Sequence, residues 1–179
     1  MNTEQQLISK IKEGDRTAMR TLYDRYSGYL MAIALRYIPD RDDVRDVLQD
    51  SFIKIFTSLP QFTPRGEGAL KAWMGRIVAN MALDFLRKRN NLQLSYDVPD
   101  MADEPTPDIG GVSDEVLMQL IGQLPTGYRV VLNLFVFDQL SHKEIAQRLG
   151  IKENSSASQY FHAKKMLGKL INEYIKRQQ

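Results

Sequence analysis

The chain has 179 residues, 43% of them hydrophobic and 26% charged, with no cysteine, two histidines and a net charge of +2. One domain or two small ones fit that length, while the missing cysteines exclude disulfide scaffolds, thiolate zinc sites and a cysteine nucleophile, and two histidines argue against a multi-histidine metal centre. No apolar stretch nears the roughly 18 residues of a membrane span, and residues 1–15 are too polar for a signal-peptide core, so the expected setting is cytoplasmic, without membrane insertion.

In chain order, the polar stretch 3–13 reads as a short helix ending near Gly14. Between 18 and 37, Met19, Leu22, Tyr23, Tyr26, Leu30, Ile33 and Ala34 recur at the three-and-four spacing of an amphipathic helix, which Pro39 and Asp40 stop. The next helix starts near Asp42 or Asp43 and buries Val44, Val47, Leu48, Ser51 and Ile55. Another runs from about 69 to 89, with Ile77, Val78, Met81, Ala82, Phe85 and Leu86 on one apolar stripe. Its exposed face carries Arg76, Asn80, Leu83 or Asp84, and Arg87, with Lys88 and Arg89 at a basic end.

Residues 92–111 break this pattern. They hold five acids (Asp97, Asp100, Asp103, Glu104, Asp108) and no base, together with Pro99, Pro105, Pro107, Gly110 and Gly111. Proline removes backbone donors and restricts its neighbour, and few apolar residues offset the ordering entropy, so an extended linker is expected. The charge is +4 over 1–91, −5 over 92–111 and +3 over 112–179. Two mildly basic lobes therefore flank an acidic strap.

Beyond the strap, Ser113 is a candidate N-cap for a helix carrying Val116, Leu117, Leu120 and Ile121. Pro125 and Gly127 interrupt the chain, and 128–137 reads as a helix, with a strand competing because of its β-branched and aromatic content. Ser141 and Glu144 form a capping-box pattern, Gly150 closes the helix they open, and a last helix runs from about 154 to 176. No Asn-Gly or Asp-Gly hairpin signal occurs, so the fold class is all-α, as two small helical domains.

The stretch 140–170 has the features of a helix-turn-helix. Ile145, Ala146 and Leu149 lie at helical spacing, Gly150 permits a tight turn, and Ile151 returns to the core. The second helix of such a motif offers its first residues to a DNA major groove. Those residues are Asn154, Ser155, Ser156, Ser158 and Gln159, whose hydroxyls and amides can bond base edges. His162, Lys164, Lys165 and Lys169 can attract phosphates, and an ordinary solvated α-hairpin is the competing reading.

In the N-terminal half, Asp43, Asp46 and Asp50 share a face opposite Val44, Leu48 and Ser51. An acidic stripe cannot bind phosphates. Docking to a basic protein surface and a plain solvated face fit it equally. The loop 63–68, TPRGEG, precedes Trp73, and one Arg among Pro and Gly beside aromatics suits unstacked bases. A lone Trp beside Ala72 and Ile77 also reads as core. Asn80 can donate and accept at once, as base recognition requires.

Three segments, DDVRDVLQDSFIKIF (42–56), FTPRGEGALKAWMGRIVANMALDFLRKR (62–89) and LSHKEIAQRLGIKENSSASQ (140–159), together resemble the bacterial extracytoplasmic-function (ECF) sigma factors, which direct RNA polymerase to promoters. The resemblance covers most of the chain, in the family's order. It implies that domain 1–91 docks on the polymerase core through Asp43, Asp46, Gln49, Asp50 and Lys54. It also implies that this domain reads and melts the promoter −10 element. There, the loop around Arg65 and Gly66 would hold a flipped base, with Lys71, Trp73, Arg76, Asn80, Arg87 and Lys88 along the strand. Domain 112–179 would read the −35 element through Ser155, Ser156, Ser158, Gln159, His162, Lys164 and Lys165. The linker 92–111 would thread the RNA-exit channel, its charge standing in for transcript.

The same resemblance implies an anti-sigma protein that covers residues 42–54 and the last two helices. It implies no cofactor, no metal, no small-molecule substrate and no catalytic residue, catalysis belonging to the polymerase, with which the chain would sit at the nucleoid. Family members often have a hydrophobic residue where Ser156 stands and basic residues at Ala157, Gln159 and His162. Neutral groups there lose guanine and phosphate contacts, so weak binding of free DNA by the C-terminal lobe is expected. A stand-alone regulator would account for the helix-turn-helix but not for the acidic stripe or the linker. An enzyme would need a constellation that is absent, since His142 and His162 fall on different helices and read as surface residues.

Overall fold

The computed structural model describes residues 3–89 and 106–178, and all regular structure among them is helical. The chain divides into two compact units, Met1–Lys88 and Arg89–Gln179. The acidic linker expected over 92–111 lies largely outside the described residues. Its described end makes a short 3-10 turn at Ile109–Gly111, with the Asp108 side chain accepting from the Gly110 N–H at 3.0 Å.

The N-terminal unit holds α1 (Thr3–Lys12), α2 (Arg16–Tyr37), α3 (Arg41–Ser58) and α4 (Ala69–Lys88). Aspartates set two of the starts. Asp15 accepts from the Thr17 and Ala18 N–H groups at 2.8 and 3.2 Å, and Asp40 from those of Asp42 and Asp43 at 2.9 and 3.0 Å. Such caps are each worth about 1 kcal/mol. Asp40 therefore opens α3, while α2 has already ended at Tyr37.

Helices α2, α3 and α4 pack on one another around buried Leu22, Leu30, Tyr37, Ile55, Leu70 and Met74. Helix α4 lies close to α2 at Gly75, where a Cβ would come within 2.9 Å of Ile33 Cδ1 and push that side-chain end aside. Helix α1 buries Leu7, Ile8 and Ile11 and is tied to α2 by the Tyr26 hydroxyl, which donates to Glu4 at 3.0 Å. Tyr23, expected on the buried stripe, is 46% exposed and keeps one side of its ring on Phe52.

The C-terminal unit holds α5 (Asp114–Gly122), α6 (Thr126–Val136), α7 (His142–Leu149) and α8 (Glu153–Gln178). The stretch with a competing strand reading is helical. Every residue of α6 from Gly127 to Leu134 is buried, so no polar face marks its period. Helix α8 packs on α5, α6 and α7 over a cluster of Ile121, Leu124, Tyr128, Leu132 and Ala163. Among the described residues no helix is long and apolar enough to cross a membrane.

Candidate nucleic-acid interface

In α3 the apolar positions Val44, Val47, Leu48, Phe52 and Ile55 are buried, which leaves the other face to solvent. Asp46, Gln49, Asp50 and Lys54 are exposed on it, and Asp43 is half-buried at its start. Ile53 sits among them with 57% of its surface exposed. An isoleucine between acids on a solvated face serves no core. Its phase, opposite Val44 and Ile55, was legible in the sequence.

Helix α4 exposes Lys71, Arg76, Asn80, Asp84, Arg87 and Lys88. Leu83 is 1% exposed, so Asp84 holds the surface position that the two shared, paired with Arg87 at 3.2 Å. Lys71 Nζ lies 4.3 Å from the centre of the Tyr29 ring, a cation–π contact with a tyrosine that is itself 37% exposed. Arg65 and Gly66 are exposed in the loop before α4. Gly66 and Gly68 both adopt positive φ, 99° and 74°, turning the chain into α4. Trp73 is half-buried at the loop's base, its ring 4.7 Å from that of Phe62. It is neither a core residue nor a free stacking platform.

The helix-turn-helix is built as its local chemistry requires. The Ser141 side chain accepts from the Glu144 N–H, and the Glu144 carboxylate accepts from the Ser141 N–H and hydroxyl at 2.8 and 2.7 Å. These two bonds, hydroxyl first, hold the Glu144 carboxyl below the usual carboxylate range. Gly150 takes φ 69°, which brings α8 across α7.

Helix α8 corrects the expected DNA-contact set. Ser156 is fully buried and Gln159 is 5% exposed, so neither can reach a base edge. They lie seven and four residues before buried Ala163 and so share its face. Ser155 is half-buried, Ser158 and Lys164 are exposed, and Lys165 is half-buried. His162 is half-buried beside Tyr128, with its Nδ1 enclosed. His142 is likewise half-buried. Its ring stacks on Phe135 at 4.6 Å, and its Nδ1 is hydrogen-bonded to the Ser156 hydroxyl at 3.0 Å.

What α8 turns outward is Asn154, Ala157, Ser158 and Phe161, the last 53% exposed. Phe161 was missed because an aromatic in a helix is first assigned to the core. An apolar side chain on an outward helix face can meet the thymine methyl in a major groove. Among the described residues no group of three His, Asp or Glu side chains is placed to hold a metal ion.

Comparison with known proteins matches two separate parts of the chain. The family profile described as Sigma-70 region 2 matches residues 22–91, and that described as Sigma-70, region 4 matches residues 114–167. The ECF RNA polymerase sigma-E factor of Haemophilus influenzae is 30% identical, the match covering 92% of this chain and 93% of that protein. The ECF RNA polymerase sigma-E factor of Escherichia coli K12 is 28% identical over 98% and 97% of the two chains. A solved structure, the sigma factor RpoE of Bartonella quintana in complex with the anti-sigma factor NepR, shares the fold. Its TM-score is 0.52 at 22% identity, with 86% of this chain and 96% of that one covered.

Proposed function

Since this chain belongs to the sigma-70 family, as a sigma factor of the ECF type, we propose that it binds core RNA polymerase through its N-terminal unit and selects promoters with both units. It adds recognition to an enzyme whose chemistry lies elsewhere, so the chain itself is not an enzyme and its place is with the polymerase in the cytoplasm.

The observation that carries this reading is the division of surface chemistry between the helices. The exposed face of α3 bears Asp46, Gln49, Asp50 and Ile53. Carboxylates around one apolar side chain suit a basic protein surface, not a phosphate backbone. The exposed face of α4, with Lys71, Arg76, Asn80, Arg87 and Lys88, suits the −10 strand, with Arg65 and Gly66 lining the loop that accepts an unstacked base. In the C-terminal unit, Ser158 and Phe161 face the −35 bases, with Ser155 beside them and Lys164 and Lys165 toward the phosphates. The −5 charge of residues 92–111 supports their passage through a channel that otherwise carries RNA.

Control by an anti-sigma protein is part of the same proposal. It is supported by membership of the ECF type and by the exposed apolar side chains Ile53 and Phe137, 57% and 40% exposed, which a partner would cover.

Size-exclusion chromatography with purified core polymerase tests the docking. The wild-type chain is expected to co-migrate, and the double charge reversal Asp46→Lys with Asp50→Lys to weaken the complex at least about tenfold. Both residues are exposed, so the helical circular dichroism stays unchanged. Equal binding by the reversed protein would sink the assignment of this face.

A further inference from the structure

His142, the first residue of α7, touches both other helices of the helix-turn-helix core. Its ring stacks on Phe135 of α6, with centroids 4.6 Å apart and planes at 18°, and lies 5.7 Å from Tyr160 of α8. Its Nδ1 is hydrogen-bonded at 3.0 Å to the hydroxyl of Ser156, also on α8. Ser156 is fully buried, and a buried hydroxyl is tolerated only where it is hydrogen-bonded.

The two kinds of contact constrain different things. Apolar packing of Ala163, Met166, Leu167 and Leu170 against the core holds α8 in place but is non-directional. A hydrogen bond is directional, and it weakens steeply as its angle departs from linear. Ser156 lies on the inner face of α8, diametrically opposite the outward Asn154, Ser158 and Phe161. Fixing the direction of the Ser156 hydroxyl therefore fixes the rotation of the first two turns of α8 about its own axis.

We propose that His142 is a positioning residue for −35 recognition: acting through Ser156, it sets which side chains of α8 meet the base edges. This rests on the reading of α8 as the −35 reader. His142 is half-buried, its ring set against Phe135 and Tyr160, and it lies on α7, not on the helix that reads the bases. Its contribution is orientation, not contact.

The test is competitive run-off transcription by the reconstituted holoenzyme. Two templates share one tube, one with the −35 sequence selected by the wild type from a randomised library and one with that sequence scrambled. The ratio of the two transcripts is independent of how much sigma is folded, so simple destabilisation leaves it unmoved. His142→Phe keeps the ring and loses the bond, and is expected to lower the ratio about tenfold. His142→Asn places a polar atom near the Nδ1 position and is expected to hold the ratio within about threefold of wild type. His142→Phe combined with Ser156→Ala is expected to do no worse than His142→Phe alone, because one bond is lost once. A wild-type ratio in His142→Phe, or effects of the two substitutions that multiply, would overturn the proposal. A wild-type holoenzyme that ignores the −35 sequence would overturn the underlying reading as well, and that result is distinguishable because it appears before any substitution.

Discussion

The ring of Trp73 lies against that of Phe62, 4.7 Å between centroids and 32° between planes. This contact joins the two ends of the loop that precedes α4, since Phe62 begins it and Trp73 stands at the start of the second turn of α4. Lys12 of α1 adds a second tie, its Nζ donating to the Phe62 carbonyl at 3.1 Å. An ordered loop base is what a pocket for an unstacked base needs. Trp73→Ala is expected to cost about 1.5–2.5 kcal/mol, roughly half the penalty of deleting a fully buried Trp. It is also expected to lower open-complex formation on duplex promoters about tenfold. Permanganate reactivity of the −10 thymines measures this, and unchanged melting by the variant would show that the loop does not depend on the pair.

Arg129 staples the C-terminal unit. It is 5% exposed, and its Nη1 donates to the Leu124 carbonyl at 2.7 Å and the Gly122 carbonyl at 3.3 Å, while Nη2 donates to Thr126 Oγ1 at 3.4 Å. Burial lowers its pKa, but a guanidinium remains charged throughout the accessible pH range. Arg129→Met would leave those carbonyls buried without their donor, at about 2–4 kcal/mol. Arg129→Lys should recover little of this, because one ammonium cannot reproduce the fork. Trp73 is the only tryptophan and belongs to the other unit, so its fluorescence transition should stay put while the circular dichroism transition shifts. A Trp73 transition that moved with Arg129→Met would contradict independent units.

The capping box makes the helix-turn-helix acid-sensitive. Hydrogen bonds from Ser141 hold the Glu144 pKa below its ordinary value. A depressed carboxyl contributes stability above its unfolded pKa, about 4.3, and loses it as the pH falls through the folded value. Wild type should therefore exceed Glu144→Gln in thermal stability at pH 6, and the gap should close toward pH 3. A gap that did not narrow with acid would remove Glu144 as its source.

Phe161 offers a chemical test of base reading. At 53% exposure, it stands beside Ala157 and Ser158 on the outward face of α8. If it covers a thymine methyl, deoxyuridine in place of that thymine should weaken −35-dependent transcription about fourfold, a buried methyl being worth about 0.8 kcal/mol. Phe161→Ala should transcribe both templates alike. Equal loss on uridine substitution in wild type and variant would assign the methyl contact elsewhere.

Much of this was legible from residues alone. The caps at Ser113 and Ser141, the left-handed Gly150 and the apolar stripe of α3 are local, and they appeared where spacing put them, whereas Tyr23 of the α2 stripe faces solvent and Ile77, Met81 and Phe85 of the α4 stripe are only half-buried. Helix α6 was ambiguous because complete burial erases periodicity. Ser156 and Gln159 were assigned to the DNA face on their polarity. Spacing puts them on the face of Ala163, but only packing against the core turned that face inward.

The sequence by itself determined an all-helical chain of two lobes around an acidic strap, and the alphabet of groups available to each. Those are consequences of backbone preference, helical period and charge, which act within a turn or two of chain. Only the tertiary structure decided which polar groups of α8 look outward, and that His142 joins Ser156 across 14 residues of sequence. Rotation of a helix about its axis is set by what packs against it, and polar side chains carry no mark of which way they will face until their partners are in place.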